Sequence, residues 1–119
     1  MEKLTQQEED AMQAVWKIGE GNIKSFMAAL AEPFPPYTTL ASTIKNLEKK
    51  GYVQSRLIGN AYMYSPAITE EVYKQKFMGN VVKDYFENSY KEMVNFFVEK
   101  NKISADELKE IIGLIEGKK

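Results

Sequence analysis

Apolar positions recur at helical spacing through the first third of the chain. The stretch Thr5-Gln6-Gln7-Glu8 is a capping box, in which a Thr and a Glu three residues later satisfy each other's backbone donors at a helix start. The apolar residues after it repeat every three or four positions and predict a first helix that ends at 19–21. Asn22 is a suitable N-cap for a second helix, whose inward positions extend to Leu30. The proline-rich stretch 33–36 forbids its continuation.

The next segment changes from a helical period to a strand period. A third helix is predicted with Thr38 as its N-cap and Gly51 at its C-terminal end, where a left-handed residue costs glycine little. Residues 52–57 then read as a strand, Gly59-Asn60 as a hairpin turn, and 61–64 as the return strand. Three helices followed by a hairpin is the element order of a winged helix-turn-helix.

The remainder of the chain is again helical in pattern. A long aromatic helix follows Thr69, a second starts near Asn88 or Ser89, and the capping box Ser104–Glu107 opens the last. The predicted fold class is therefore mostly α with a small β-hairpin, a winged helix-turn-helix plus a C-terminal helical dimerisation segment. The predicted units are a DNA-binding domain at 1–67 and a dimerisation domain at 68–119.

Composition narrows the chemistry that the chain can perform. It has no Cys and no His, which removes disulfides, zinc fingers and Ser-His or Cys-His nucleophile pairs. We therefore expect a protein without metal or cofactor that is not an enzyme. An enzyme that depends on carboxylates is an alternative. The start of the chain is polar, and no apolar run is long enough to span a bilayer. We accordingly expect no membrane insertion and a cytoplasmic location.

Basic residues concentrate between positions 37 and 66. This stretch contains four basic residues and one acidic residue, so its net charge is +3, whereas the net charge of the whole chain is -1. A local basic surface is expected of a DNA-reading element, and the N-terminal half of the third helix would enter the major groove. Hydroxyl side chains and Lys45 can contact bases, Lys49 and Lys50 suit phosphates, and Arg56 would reach the DNA from the wing. An ordinary solvated helix face could carry the same residues. The predicted DNA contacts are Thr38, Thr39, Ala41, Ser42, Lys45, Asn46, Lys49, Lys50, Arg56, Asn60 and Tyr62.

The C-terminal segment carries more large apolar side chains than short helices can bury alone. They could fold back on the first domain as core. A two-fold interface between crossing helices is favoured, because the segment follows the wing and must lead away from the unit that faces the DNA. The predicted dimerisation residues are Tyr73, Phe77, Val81, Tyr85, Phe86, Met93, Phe96, Phe97, Leu108, Ile111, Ile112 and Ile115.

Several ordered segments together resemble the penicillinase-repressor family of bacterial regulators. The segments that carry the resemblance are Leu4–Glu8 with Met12 and Val15-Trp16, Thr39–Leu47, Lys49–Val53, Tyr62–Pro66, Phe97–Lys100 and Ser104–Leu108. The resemblance implies a homodimer that binds a palindromic double-stranded DNA operator. It also implies release by a membrane sensor protease that cuts an Asn-Phe bond just before a Val-Glu-Lys stretch. Here the Asn-Phe pair is Asn95-Phe96 and Phe97 intervenes, so the candidate cleavage site is displaced by one residue.

The sequence thus predicts a sequence-specific DNA-binding transcriptional repressor that acts as a homodimer, controlling a resistance or stress operon. The alternative is a winged-helix protein-interaction module without specific DNA binding.

Overall fold

The computed structural model of the protein describes residues 3–117. Contacts divide the chain between Tyr73 and Lys74, a few residues after the division that the sequence predicted. The elements are α1 (Gln6–Ile18), α2 (Ile23–Met27), α3 (Tyr37–Lys49), β1 (Val53–Ile58), β2 (Ala61–Pro66), α4 (Glu70–Phe86), α5 (Tyr90–Glu99) and α6 (Ala105–Gly117). The predicted fold class, mostly helical with one antiparallel hairpin, is confirmed.

The predicted capping box at the start of α1 is present. The Thr5 backbone N–H donates to Glu8 Oε1 at 2.9 Å, and the Glu8 backbone N–H donates to Thr5 Oγ1 at 3.2 Å. These two bonds satisfy donors that a helix start leaves without intrahelical partners.

Two predicted helix boundaries in the helix-turn-helix were wrong. The second helix ends at Met27, because the hydrogen bonds that follow join residues three apart rather than four. Ala29 N–H donates to the Phe26 carbonyl and Leu30 N–H donates to the Met27 carbonyl. The third helix starts at Tyr37 with Pro36 as its N-cap and no side-chain cap. Thr38 therefore lies within the first turn of α3, with its side chain exposed, rather than capping it.

The hairpin follows α3 through a tight reversal. Gly51 has φ 86°, in the left-handed region that favours glycine. Strands β1 and β2 pair antiparallel with Ile58 opposite Ala61, so Gly59 and Asn60 form the turn as predicted. Gly21, between α1 and α2, adds an isolated antiparallel bridge to Tyr64 of β2.

The core of the first unit is built from one face of each helix and the base of the hairpin. Its buried apolar side chains include Met12, Val15, Phe26, Leu40, Ile44, Leu47, Tyr52, Val53 and Tyr64. Such a cluster removes a continuous apolar surface from water and fixes the orientation of α3.

The start of α4 belongs to this core, and it includes one of the predicted dimerisation residues, Tyr73. Trp16 Nε1 donates to the Ile68 carbonyl at 2.9 Å. The ring of Tyr73 lies 5.3 Å from Trp16 and 5.9 Å from Tyr52 between centroids. Tyr73 thus packs on the winged-helix unit, because its aromatic partners come from α1 and from the residue before β1.

The second unit has little core of its own. Among residues 74–117, Val82 is the one buried residue. Phe96 contacts Phe86 and Phe97 with ring centroids 5.7 and 5.4 Å apart. Ser89 caps α5 through the Glu92 N–H, at one of the two positions near which the sequence predicted this helix to start.

Candidate nucleic-acid interface

One face of α3 is exposed along its whole length. Thr38, Ser42, Lys45 and Lys49 are exposed and follow one another at three- or four-residue spacing. At 3.6 residues per turn they fall within about 60° of one another around the helix axis. The buried side chains of the same helix, Leu40, Thr43, Ile44 and Leu47, lie on the opposite side. The packing of α3 on the core therefore presents these four side chains to solvent.

The remaining predicted contacts on α3 lie at the margins of this face. Asn46 is exposed. Thr39 is half-buried, and its carbonyl accepts a hydrogen bond from Thr43 Oγ1 at 2.9 Å. Ala41 is half-buried and packs against the core. Thr39 and Ala41 are consequently less accessible than the residue pattern indicated.

Lys49 and Lys50, both predicted to contact phosphates, have different surroundings. Lys49 is exposed, and within residues 3–117 neither it nor Lys45 forms an ion pair. Lys50 Nζ lies 2.7 Å from Glu8 Oε1 and also donates to the Lys3 carbonyl at 3.3 Å. Lys50 therefore ties the end of α3 to the start of α1, a contact between residues 42 positions apart.

The carboxylate that receives Lys50 is itself buried. The Glu8 side chain is 7% exposed and that of Lys50 is 22% exposed. Burial raises the pKa of Glu8, but hydrogen bonds from Lys50 and from Thr5 outweigh it, and the pKa falls below its ordinary value of 4.5. Glu8 is therefore held ionised as the partner of Lys50.

The wing arginine is also engaged within the molecule. Arg56 Nε donates to Glu20 Oε2 at 2.8 Å and Arg56 Nη2 donates to Glu20 Oε1 at 2.7 Å. These hydrogen bonds lower the pKa of Glu20 and raise the pKa of Arg56. Of the four basic side chains counted between 37 and 66, two thus have carboxylate partners from α1 and the loop after it.

The rest of the wing is exposed but less polar than expected. Asn60 is exposed at the turn, and Tyr62 is 58% exposed. Tyr64 is buried, and burial raises its pKa. Leu57 and Ile58 are 59% and 47% exposed near the tip. Leu57 and Tyr37 were not among the predicted contacts, and Tyr37 is 53% exposed at the first position of α3. The alternation of side chains along β1 does not by itself show whether Leu57 is buried or exposed.

A second candidate surface lies in the C-terminal unit. Half or more of the side chain is exposed at several of its large apolar residues: Tyr85, Tyr90, Ile112, Leu114 and Ile115. Phe77, Phe96, Phe97 and Ile111 are exposed to a smaller extent, whereas Val81, Phe86, Met93 and Leu108 are half-buried. Val94, Val98 and Leu114 are exposed apolar residues that the predicted set omitted. Asn95, at the candidate cleavage site, is exposed within α5.

Comparison with known protein families identifies the family of this chain. The family described as penicillinase repressor matches residues 4–117. The chain belongs to the penicillinase repressor family. The family resemblance drawn from the sequence is thereby confirmed.

Individual relatives of this penicillinase-repressor chain are distant. The methicillin resistance regulatory protein MecI of Staphylococcus aureus is 26% identical over 80 residues, which is 67% of this chain and 65% of MecI. The matched segment thus spans just under two thirds of MecI. The penicillinase repressor of Bacillus licheniformis is 23% identical over 116 residues, covering 96% of this chain and 90% of that protein. Both names are those of regulatory proteins rather than enzymes.

A solved structure of Bordetella bronchiseptica BpsR, whose DNA binding is regulated by 6-hydroxynicotinic acid, covers 98% of this chain and 76% of its own. Its TM-score is 0.49 at 13% identity, a weak likeness. Across residues 3–117, no helix combines the length and apolar character needed to cross a bilayer.

Proposed function

We propose that this protein is a sequence-specific transcriptional repressor that binds a palindromic DNA operator as a homodimer. The observation that carries the proposal is the exposed face of α3, which combines two hydroxyl side chains with two lysines. A helix of this kind fits the major groove, where Ser, Thr and Lys can read base edges and Lys can also contact phosphate. The function requires no cofactor.

Each residue has a separate role in this proposal. Thr38 and Ser42, in the N-terminal half of α3, are placed to meet base edges. Lys45, one turn further on, reaches a guanine edge or a phosphate, and Lys49 contacts a phosphate. Asn60 and Tyr62 of the wing contact the backbone. Lys50 is assigned to the stability of the domain instead, because of its contact with Glu8.

The homodimer is supported by the surface of the C-terminal unit. Exposed side chains such as Ile112, Leu114 and Ile115 in α6 place more apolar surface in water than an isolated small unit normally tolerates. A second copy would cover that surface and place two α3 helices about 34 Å apart, or a multiple of that distance, to match two half-sites. Control of a resistance or stress operon, and release by a membrane sensor protease acting near Asn95–Phe97, belong to the same proposal.

The direct test is selection of binding sites from a random pool of double-stranded DNA. We expect enrichment of an inverted repeat whose half-site centres are separated by whole turns of the duplex. Lys45→Ala should change the preferred base at one position of each half-site. The matched control, Lys76→Ala, removes an exposed lysine from α4 and should leave the motif unchanged. A pool without enrichment, or a motif that Lys45→Ala leaves intact, would contradict the proposal.

The exposed apolar residues near the wing tip favour a second candidate, a module that binds another protein. Leu57, Ile58 and Tyr62 offer an apolar contact rather than a charged one. The site selection separates the two functions, because such a module would return no enriched DNA sequence.

A further inference from the structure

Arg56 and Glu20 form a two-point ion pair across the first unit. Two N–H groups of the guanidinium meet the two oxygens of one carboxylate, at 2.8 and 2.7 Å, although the residues are 36 positions apart. In this geometry the Nε and Nη2 N–H groups of Arg56 both donate to the Glu20 carboxylate. A phosphate that approached the same N–H groups would have to replace the carboxylate.

The backbone holds Glu20 in place beside the hairpin. Gly21 N–H donates to the Tyr64 carbonyl at 2.9 Å, and Tyr64 N–H donates back to the Gly21 carbonyl at 2.8 Å. A Cβ at Gly21 would lie 2.8 Å from the Cβ of Ser25, so the loop approaches α2 more closely than a side chain allows. The carboxylate is consequently presented to the wing by a fixed support rather than by a loose loop.

The pairing register places Arg56 on the outer face of the small sheet. Arg56 lies opposite Met63, the neighbour of Tyr64, and Glu20 is the neighbour of Gly21, the bridge partner of Tyr64. Because successive residues of a strand alternate between faces, Arg56 lies on the face of the sheet that points away from buried Tyr64, and Glu20 meets it there from the loop that follows α1. The ion pair is therefore on the solvent side.

The pair is also open to an incoming ligand. The Arg56 side chain is 65% exposed and that of Glu20 is 36% exposed. Exposed ion pairs are weak and are screened by salt, whereas guanidinium binds phosphate and carboxylate with the same bidentate geometry. A DNA phosphate is thus a chemically equivalent replacement for Glu20.

We propose that Glu20 competes with the DNA backbone for Arg56. In the free protein Glu20 occupies the wing arginine, and on a duplex a phosphate takes its place. The inference rests on the proposed DNA-binding function. It adds that Glu20 lowers the affinity for every duplex, whatever its sequence. Contacts from α3, which have no such competitor, then contribute a larger share of the affinity.

The test measures the affinity for a labelled double-stranded oligonucleotide of random sequence at several salt concentrations. The full-length proteins compared are wild type, Glu20→Gln, Arg56→Gln and the double variant. Glu20→Gln keeps the shape of the side chain and should bind the duplex about two- to five-fold more tightly, the range expected for release of an exposed pair. Arg56→Gln should bind more weakly than wild type. The double variant should bind like Arg56→Gln, since without the arginine there is nothing for Glu20 to withhold.

Controls separate this competition from a general effect of charge. Glu32→Gln removes the same charge from an exposed position that does not contact Arg56, and it should give a smaller gain than Glu20→Gln. Tighter binding that persists without Arg56, or that Glu32→Gln reproduces, would overturn the inference. The inference would also be overturned if Glu20→Gln bound the duplex as tightly as wild type. If Lys49→Ala still weakened binding in that case, the proposed function would remain supported. If neither wild type nor Glu20→Gln binds the duplex at low salt, the proposed function itself fails.

Discussion

Alanine at Lys49 and alanine at Lys50 should have opposite consequences, although the two lysines are neighbours in sequence. Lys49 is exposed at the end of the α3 face, and the structure gives it no ion-pair partner among residues 3–117. Lys50 Nζ contacts Glu8 Oε1 at 2.7 Å and the Lys3 carbonyl at 3.3 Å. We expect Lys49→Ala to change DNA binding and Lys50→Ala to change stability.

The expected size of the Lys50 effect follows from what Glu8 keeps. A hydrogen bond to a charged group contributes about 1.5–3 kcal/mol. Glu8 retains the bond from the Thr5 N–H, and water can enter on the side where Lys50 is 22% exposed. We therefore take the lower end of the range, a loss of about 1.5 kcal/mol in the free energy of unfolding. In a domain of this size that loss corresponds to a Tm lower by roughly 6–12 °C.

The expected size of the Lys49 effect follows from counterion release. Loss of one phosphate contact should reduce the slope of log affinity against log salt by about 0.9. The free energy of unfolding should change by less than about 0.5 kcal/mol, as for an ordinary surface substitution. The affinity loss should be similar on specific and random duplexes, because a phosphate contact carries no sequence information.

Two measurements on the same protein samples separate these effects. The chain has one tryptophan, Trp16, whose ring packs on Tyr73, so its fluorescence reports unfolding of the first unit in urea. Duplex affinity is then measured over a salt series well below the Tm of each variant. The double change Glu8→Gln with Lys50→Met is the control, since removing both charges avoids an unpaired buried carboxylate and should recover part of the lost stability. A reduced salt slope for Lys50→Ala with unchanged stability would refute the assignment.

Three further predictions concern the pH dependence of stability, the packing at Gly21 and the oligomeric state. Since the pKa of Glu8 lies below 4.5 in the fold, its stabilisation is complete above pH 4.5 and is lost as the pH falls through the folded-state value. Urea unfolding curves of wild type and Lys50→Ala should therefore converge in acid, and an undiminished difference there would contradict the linkage. Gly21→Ala should cost about 1–3 kcal/mol in thermal unfolding, because its Cβ would lie 2.8 Å from the Cβ of Ser25; Gly113→Ala, with open space around it, is the control. Ile112→Glu should shift the protein from dimer to monomer in sedimentation velocity, whereas Lys109→Glu should not, and equal dimer fractions for wild type and Ile112→Glu would exclude α6 from the interface.

The features that the sequence predicted correctly depend on nearby residues. The capping boxes at Thr5 and Ser104 and the N-cap at Asn22 each involve side chains within three residues of the group they satisfy. The turn at Gly59-Asn60 is equally local. For such features the interacting groups are all close together in the sequence, so the residue pattern alone is enough to predict them.

The features that the sequence missed depend on distant partners. Tyr73 reads as one more aromatic position of a C-terminal helix, and only the fold brings it to Trp16 and Tyr52. The start of α3 was misplaced because Thr38 is a good N-cap by type, whereas Pro36 has the extended backbone from which the helix begins. Tertiary packing overrode the local pattern at Tyr73, whereas at the start of α3 the backbone conformation of Pro36 decided against Thr38.

The same distinction decides how the basic stretch should be interpreted. A count of charges between 37 and 66 treats Lys45, Lys49, Lys50 and Arg56 as equivalent, yet acidic residues from α1 and its following loop engage two of them. Glu8 holds Lys50 from a buried position, where exchange for a phosphate would leave a buried carboxylate without its cation. Glu20 holds Arg56 from the surface, where exchange has little such cost. We therefore expect position relative to solvent, rather than charge, to determine which basic side chains reach a duplex: Lys45, Lys49 and Arg56 do, and Lys50 does not.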